Sequence, residues 1–157
     1  MQTTALREYE TLFIVHPELS DENVEGLSER LKEVIAKQKG EVLGSDSWGK
    51  RRLAYRAKKQ TRGNYVLYHY AGSSGIVDEV ERFLRNQEPV MRFLSSAVGV
   101  VTDVEARRAE VQKSAKERAE RARAAAEREE REQRERERGE REGGRDRDRD
   151  NDEEDFE

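Results

Sequence analysis

The sequence has no cysteine, two prolines, two histidines and few aromatic residues, which make up 6% of the chain. The lack of cysteine excludes disulfides, thiolate zinc sites and a cysteine nucleophile, and it suits a cytoplasmic protein. No apolar run approaches the roughly 20 residues that a membrane-spanning helix needs. Residues 1–6 lack a basic start followed by a long apolar stretch, so we expect no signal peptide.

Charge is abundant instead, and it is distributed unevenly along the chain. Charged residues make up 42% and hydrophobic residues 33%, whereas an ordinary globular chain is about a quarter charged and nearly half apolar. Beyond Val104 the large apolar residues are Val111 and Phe156 alone. Residues 1–99 carry 15 basic and 14 acidic side chains, and residues 100–157 carry 16 and 21. The sequence therefore predicts one folded domain at 7–99 after a flexible N terminus at 1–6.

Four strands and two helices are predicted within this domain. Aromatic and β-branched residues indicate strands, helical spacing of apolar residues after Ser20 indicates a capped helix, and Pro89 must stop the second helix. The predicted elements are, in order, a strand at Arg7–Val15, a helix from Ser20 to Gly40, a strand at Glu41–Arg56, a strand at Tyr65–Ala71, a helix across Ile76–Leu84 and a strand at Val90–Val98. A turn is predicted at Thr61–Asn64, and Ser73 and Ser74 are candidate caps of the second helix.

The order of these elements, β-α-β-β-α-β, predicts the fold. The compact arrangement is a four-stranded antiparallel sheet with two helices on one face, the ferredoxin-like split β-α-β fold of the α+β class. Short connections and right-handed crossovers are compatible with it.

The C-terminal part is predicted to be a charged extension at 100–138 and a disordered acidic end at 139–157. Pairs such as Glu117 with Arg121 support a solvated, partly formed helix, but the apolar seam of a coiled coil is missing. Glycines at 139, 143 and 144 are expected to interrupt the helix. We favour a solvated spacer, and contact with RNA or neighbouring proteins and modification of the acidic end are the alternatives.

No residue pattern indicates catalysis, a metal or a cofactor. His16 precedes Pro17 at the end of a strand and His69 lies inside an aromatic strand, and neither has a partner at metal-ligand spacing. A Gly-rich phosphate loop is absent, since Gly72–Gly75 is not followed by the lysine of a P-loop. The sequence therefore predicts a protein that is not an enzyme.

A basic segment at residues 50–62 is the strongest functional signal. Seven of its thirteen residues are cations and none is acidic: Lys50, Arg51, Arg52, Arg56, Lys58, Lys59 and Arg62. Trp48, Tyr55 and Tyr65 lie in or beside it. Cations that contact phosphates and rings that stack on bases are typical of RNA-binding surfaces. The alternative is an exposed strand edge that positive charge protects from aggregation.

Two family resemblances bear on this segment. Residues 62–68 resemble a gapped RNA-recognition-motif octamer, although Asn64 stands where that motif has an aromatic, and core packing explains these aromatics equally well. A second resemblance rests on three pieces of sequence: R-E-Y-E at 7–10 with V-H-P at 15–17, W-G-K-R-R-L-A-Y at 48–55, and the aromatic third strand. In this order and spacing they resemble the bacterial small-subunit ribosomal protein six family over residues 7–99.

This second resemblance implies the ferredoxin-like fold and a structural, cytoplasmic, ribosome-bound protein without cofactor. It implies binding to the central domain of small-subunit ribosomal RNA, together with small-subunit protein eighteen as a heterodimer, on a platform prepared by protein fifteen. Many family members have proline after L-A-Y, where this chain has Arg56, which adds a charge at the end of the strand.

The resemblance, the charges and the strand geometry give candidate site residues. The residues expected to contact RNA are Arg7, Tyr9, Arg51, Arg52, Arg56, Lys58, Lys59, Arg85 and Arg92. Trp48 and Lys50 are expected to contact the partner protein. Because alternate residues of a strand share a face, Arg51 should point away from Lys50 and Arg52.

Two other functions compete with this interpretation. A ferredoxin-like regulatory domain would bind a small molecule, but it offers no reason for seven cations in thirteen residues. A small enzyme on the same fold would need a polar constellation that the sequence does not show.

Overall fold

The computed structural model describes residues 6–147, with side chains through residue 138. Its elements are β1 (Leu6–Val15), α1 (Asp21–Lys37), β2 (Glu41–Ala57), β3 (Gln60–Gly72), α2 (Ile76–Arg85), β4 (Val90–Val101) and α3 (Val104–Arg147). Through β4 this is the predicted β-α-β-β-α-β order. Residues 1–5 of the predicted flexible N terminus and residues 148–157 of the predicted acidic end lie outside the described residues.

The four strands form one antiparallel sheet in the order β2-β3-β1-β4. β1 is central: its residues pair with Asn64–Gly72 of β3 on one side and with β4 on the other. α1 and α2 pack on one face of the sheet, so the predicted ferredoxin-like fold is confirmed. β2 and β4 are the two edge strands.

The main core lies between the sheet and these two helices. Phe13 of β1 and Tyr68 of β3 stack with ring centroids 6.1 Å apart, and Tyr9 lies 5.8 Å from Tyr70. The apolar stripe of α1 that faces them consists of Val24, Leu27, Leu31 and Ile35. Ser20 caps this helix as predicted, since its hydroxyl accepts a hydrogen bond from the Asn23 amide.

A second, smaller apolar cluster lies on the other face of the sheet, which we call the open face. Here the first turns of α3 cross one end of the sheet, and Val111 is buried against Leu43, Ala71 and Val101. A side chain at Gly44 would collide with Val111, because a Cβ there would lie 2.7 Å from its Cγ1. The beginning of α3 therefore packs as part of the domain.

The β2–β3 turn differs from the prediction at Thr61–Asn64. Ala57 pairs with Gln60, and the turn is Lys58–Lys59, whose φ angles of 46° and 65° match the pattern of a type I′ hairpin. Gly63 instead lies inside β3, where an added Cβ would lie 2.3 Å from Ile14 Cγ2. The glycine is required for close packing between strands rather than for a turn.

Two further boundaries differ from the sequence prediction. The N-cap of α2 is Gly75, without a side-chain hydrogen bond, so the predicted serine cap is wrong. α3 continues through the glycines at 139, 143 and 144. The chain divides into two compact units after Ala115. The described residues of the second unit, from Lys116 to Arg147, all belong to α3. No helix among the described residues is both long and apolar enough to span a membrane.

Candidate RNA and partner-protein interface

The basic segment lies along the edge strand β2 and around the β2–β3 turn. All seven of its cations are exposed, whereas Leu53 and Ala57 point into the protein. Across residues 6–138, ion pairs form at Lys32, Arg82, Arg107, Arg108 and in distal α3, but none of the seven cations has a carboxylate partner. Their charge is therefore available to a ligand.

The strand register places these cations on two faces. Arg51 lies opposite Gly63, and Lys50 and Arg52 lie opposite Asn64 and Arg62. Since neighbouring residues point to opposite faces, Arg51 lies on the open face and Lys50 and Arg52 on the helix side. The two residues proposed for the partner protein, Trp48 and Lys50, consequently point to different faces of β2.

The tip of the hairpin is bound to the start of β4. The Lys58 ammonium donates hydrogen bonds to the carbonyl oxygens of Glu88 and Val90, at 2.7 and 3.0 Å. The Arg92 guanidinium donates to the Arg56 carbonyl at 3.4 Å. These bonds bring four predicted residues together at one end of the sheet: Arg56, Lys58, Lys59 and Arg92.

Trp48 forms an aromatic platform on the open face. Its ring stacks on Tyr65 with centroids 6.3 Å apart and planes 14° apart, and its indole N–H donates to Asp46. The Arg51 guanidinium covers the ring 5.4 Å from its centroid. An apolar row lies beside this platform on the same face. The register pairs Leu67 of β3 with Leu12 of β1, and Leu12 with Leu94 of β4, which is 70% exposed.

The other predicted residues lie apart from the hairpin. Arg7 is exposed at the start of β1, at the opposite end of the sheet from the turn. Tyr9 is buried in the core, where its ring is not accessible to a ligand. Arg85 is exposed at the end of α2 and lies over the Phe93 ring. The predicted residues thus form a hairpin group and two outlying cations.

Comparisons with known proteins match the part of the chain that contains these residues. Residues 8–96 match the family Ribosomal protein S6, which is more than half of the chain. The chain belongs to this family.

Relatives and a solved structure agree with the family assignment. The small ribosomal subunit protein bS6 of Syntrophobacter fumaroxidans is 44% identical over 90 residues, which are 57% of this chain and 61% of that protein. The bS6 protein of Trichlorobacter lovleyi is 40% identical over 105 residues, which are 67% of this chain and 84% of that protein. A crystal structure of 30S ribosomal protein S6 from Thermotoga maritima is similar with a TM-score of 0.56 and 29% identity, and it covers 68% of this chain and 98% of that chain.

Membership of the S6 family makes the chain a structural component of the bacterial small ribosomal subunit, cytoplasmic and ribosome-bound. This confirms the family predicted from the three sequence pieces and its non-enzymatic character. The family match ends at residue 96, so α3 lies outside it.

A buried polar cluster that joins α3 to the S6 domain was not predicted from the sequence. The Arg107 guanidinium donates to both carboxylate oxygens of Glu8, at 2.7 and 3.1 Å, and Glu8 is 3% exposed. Hydrogen bonds to Glu8 and Glu110 hold the pKa of Arg107 above its ordinary value. His69 Nδ1 lies 3.4 Å from Glu10. Within residues 6–138 no group of three or more His, Asp or Glu side chains can hold a metal ion.

Proposed function

We infer that this chain binds the central domain of small-subunit ribosomal RNA through its β2–β3 hairpin, as a heterodimer with small-subunit protein eighteen. The observation that carries this inference is the set of exposed cations at residues 50–62, none of which has a carboxylate partner in the described part of the chain. Cations that are not neutralised internally are free to replace the counterions of RNA phosphates.

The fixed geometry of the hairpin tip supports RNA contact at Arg56, Lys59 and Arg92. Lys58 ties the turn to the start of β4 through two carbonyl oxygens, which holds the neighbouring cations in place. A group of cations with a fixed spacing loses less conformational entropy on binding than flexible side chains do. Arg51, Arg52, Arg7 and Arg85 add contacts along the strand and at the outlying positions.

Backbone conformation at Lys59 allows a test with a matched control. Lys59 and Lys39 both have positive φ, at 65° and 55°, a conformation that favours glycine. Lys59→Gly and Lys39→Gly each remove one cation and relieve one strained residue. We expect both to raise the free energy of unfolding by about 0.5–1 kcal/mol.

Only Lys59→Gly should change RNA binding. We expect it to reduce the slope of log affinity against log salt by about 0.7–0.9, the value of one phosphate contact, for a central-domain transcript with protein eighteen present. The measurement is filter binding between low and moderate salt. An equal loss of slope in both variants, or no loss in Lys59→Gly, would show that the hairpin tip does not contact RNA.

The uncovered part of the open face supports the contact with protein eighteen. Trp48 lies on this face, stacked against Tyr65. The apolar row that ends at the exposed Leu94 lies beside this pair. Large aromatic residues in such a setting carry much of the binding energy of protein interfaces. Lys50 would join this contact only where the partner also reaches around the edge of β2.

Trp48→Ala is the direct test of this surface, and Tyr55→Ala is its control. Tyr55 is an aromatic residue of the same strand, 78% exposed. We expect Trp48→Ala to weaken the heterodimer by about 2 kcal/mol, which is roughly 30-fold, and Tyr55→Ala to leave it unchanged. Calorimetric titration with protein eighteen measures both. Unchanged affinity in a folded Trp48→Ala protein would place the interface elsewhere.

A further inference from the structure

α3 has two segments whose charges are arranged differently. The proximal segment (residues 113–123) has five cations and two acids, a net charge of +3. The distal segment (residues 127–138) has five cations and six acids, a net charge of −1. The extension is acidic as a whole, but its first part, at residues 113–123, is basic.

In the distal segment the charges neutralise one another within the helix. Arg128 pairs with Glu132 at 3.2 Å, Arg131 with Glu135 at 3.2 Å and Arg134 with Glu130 at 2.6 Å, all at a spacing of four residues. Such pairs stabilise an isolated helix by about 0.2–0.5 kcal/mol each. The distal segment thus contains both the cations and the acids that it needs to remain helical in solvent.

Four of the five cations of the proximal segment lack this internal neutralisation. Lys113, Lys116, Arg121 and Arg123 are exposed, and up to residue 138 none of them forms an ion pair. Within residues 6–138, Lys37 and Lys39 at the end of α1 also lack carboxylate partners, so the proximal segment differs from them in its higher density of charge. The eleven helical residues from Lys113 to Arg123 span about 15 Å, a short distance for five cations.

We propose that the proximal segment of α3 is a second RNA-binding surface, which contacts the phosphate backbone of ribosomal RNA, while the distal segment contacts none. This rests on the proposed RNA binding of the S6 domain and extends it beyond the family match, which ends at residue 96. Within the first unit, Arg107 and Val111 anchor the beginning of α3 on the sheet.

Two variants of the full chain separate the segments. The proximal variant is Lys113→Gln, Lys116→Gln, Arg121→Gln and Arg123→Gln, and the distal variant is Arg128→Gln, Arg131→Gln, Arg134→Gln and Arg136→Gln. Each removes four positive charges from the same helix, and glutamine keeps a helix propensity close to that of lysine and arginine. Circular dichroism of both variants reports whether the helix is retained.

The readout is the affinity for a central-domain transcript, with protein eighteen present, as a function of salt. We expect the proximal variant to lose about 0.7–0.9 of the salt slope for each contact removed and at least about tenfold in affinity at low salt, and the distal variant to bind within about twofold of wild type. Equal losses in both variants, or none in the proximal variant, would overturn the proposal.

A third variant, Arg51→Gln with Arg52→Gln, distinguishes this proposal from the function on which it rests. A loss of affinity in this hairpin variant with none in the proximal variant would reject the role of α3 and retain the S6-domain interface. A wild-type protein that does not bind the transcript would reject both.

Discussion

Tyr70 is buried in the main core, where its hydroxyl takes part in a polar chain with Thr11 and Ser95. The Tyr70 and Thr11 hydroxyls are 2.9 Å apart, as are those of Thr11 and Ser95. Burial raises the pKa of Tyr70 above its ordinary value of 10.0, and the hydrogen bonds to Thr11 and Ser95 partly oppose this rise. The folded protein therefore favours the neutral phenol more strongly than the unfolded chain does.

A loss of stability at alkaline pH follows from this shift. Because the pKa of Tyr70 is higher in the folded state, its contribution is complete below the unfolded pKa of about 10 and is lost as the pH rises through the folded pKa. We expect Tyr70→Phe to lose less free energy of unfolding than wild type between about pH 8 and pH 11. Urea unfolding at both pH values measures this, and an identical pH dependence would contradict it.

The pair of Glu8 and Arg107 supports a second prediction at the scale of single residues. Arg107→Gln leaves the Glu8 carboxylate buried without its cation, so we expect a loss of about 2–4 kcal/mol in the free energy of unfolding. Glu8→Gln combined with Arg107→Gln should recover part of that loss, because no buried charge remains. Additive effects of the two substitutions in a double-mutant cycle would show that the pair is not coupled.

At the scale of secondary structure elements, α3 gives the clearest test. A chain that ends at Ala115 keeps Val111 in the small core and Arg107 on Glu8, whereas a chain that ends at Asp103 loses both. We expect the shorter chain to be less stable by at least about 3 kcal/mol and the longer one to unfold like the full protein. Equal stability of the two truncated chains would mean that α3 is not part of the folded domain.

The sequence predicts most elements because their local signals agree with the tertiary fold. Alternating apolar residues, the Ser20 cap and Pro89 are local features, and the strands and helices lie where these features indicate. The sequence predicts the turn in the wrong place because Gly63–Asn64 has stronger turn chemistry than Lys58–Lys59. Its glycine is required by contacts with Ile14 and Met91, which only the folded sheet brings close.

The same limit applies to the candidate site. The number of cations and their two faces follow from composition and strand alternation. The tie between Lys58 and the start of β4 spans 30 residues or more, and the burial of α3 depends on two valines and one arginine in a segment without an apolar stripe. Such contacts join distant parts of the chain, and no local sequence pattern predicts them.

At the scale of the whole molecule, the positions of the charges matter more for binding than the net charge does. The chain has a formal net charge of −4, yet among residues 6–138 exposed cations without carboxylate partners are concentrated in the hairpin and in the proximal segment of α3. Association with RNA depends on where charge is displayed, so an acidic isoelectric point is compatible with an RNA-binding protein.

The bond between Glu8 and Arg107 also has a consequence for biosynthesis. The two residues are 99 positions apart, so a growing polypeptide cannot form the bond until Arg107 has been translated. Strand β1 is synthesised early, but its pairing partners β3 and β4 and its contact with α3 come later in the chain. A nascent chain that stops before Arg107 therefore lacks both the cation that pairs with Glu8 and the part of α3 that covers this end of the sheet.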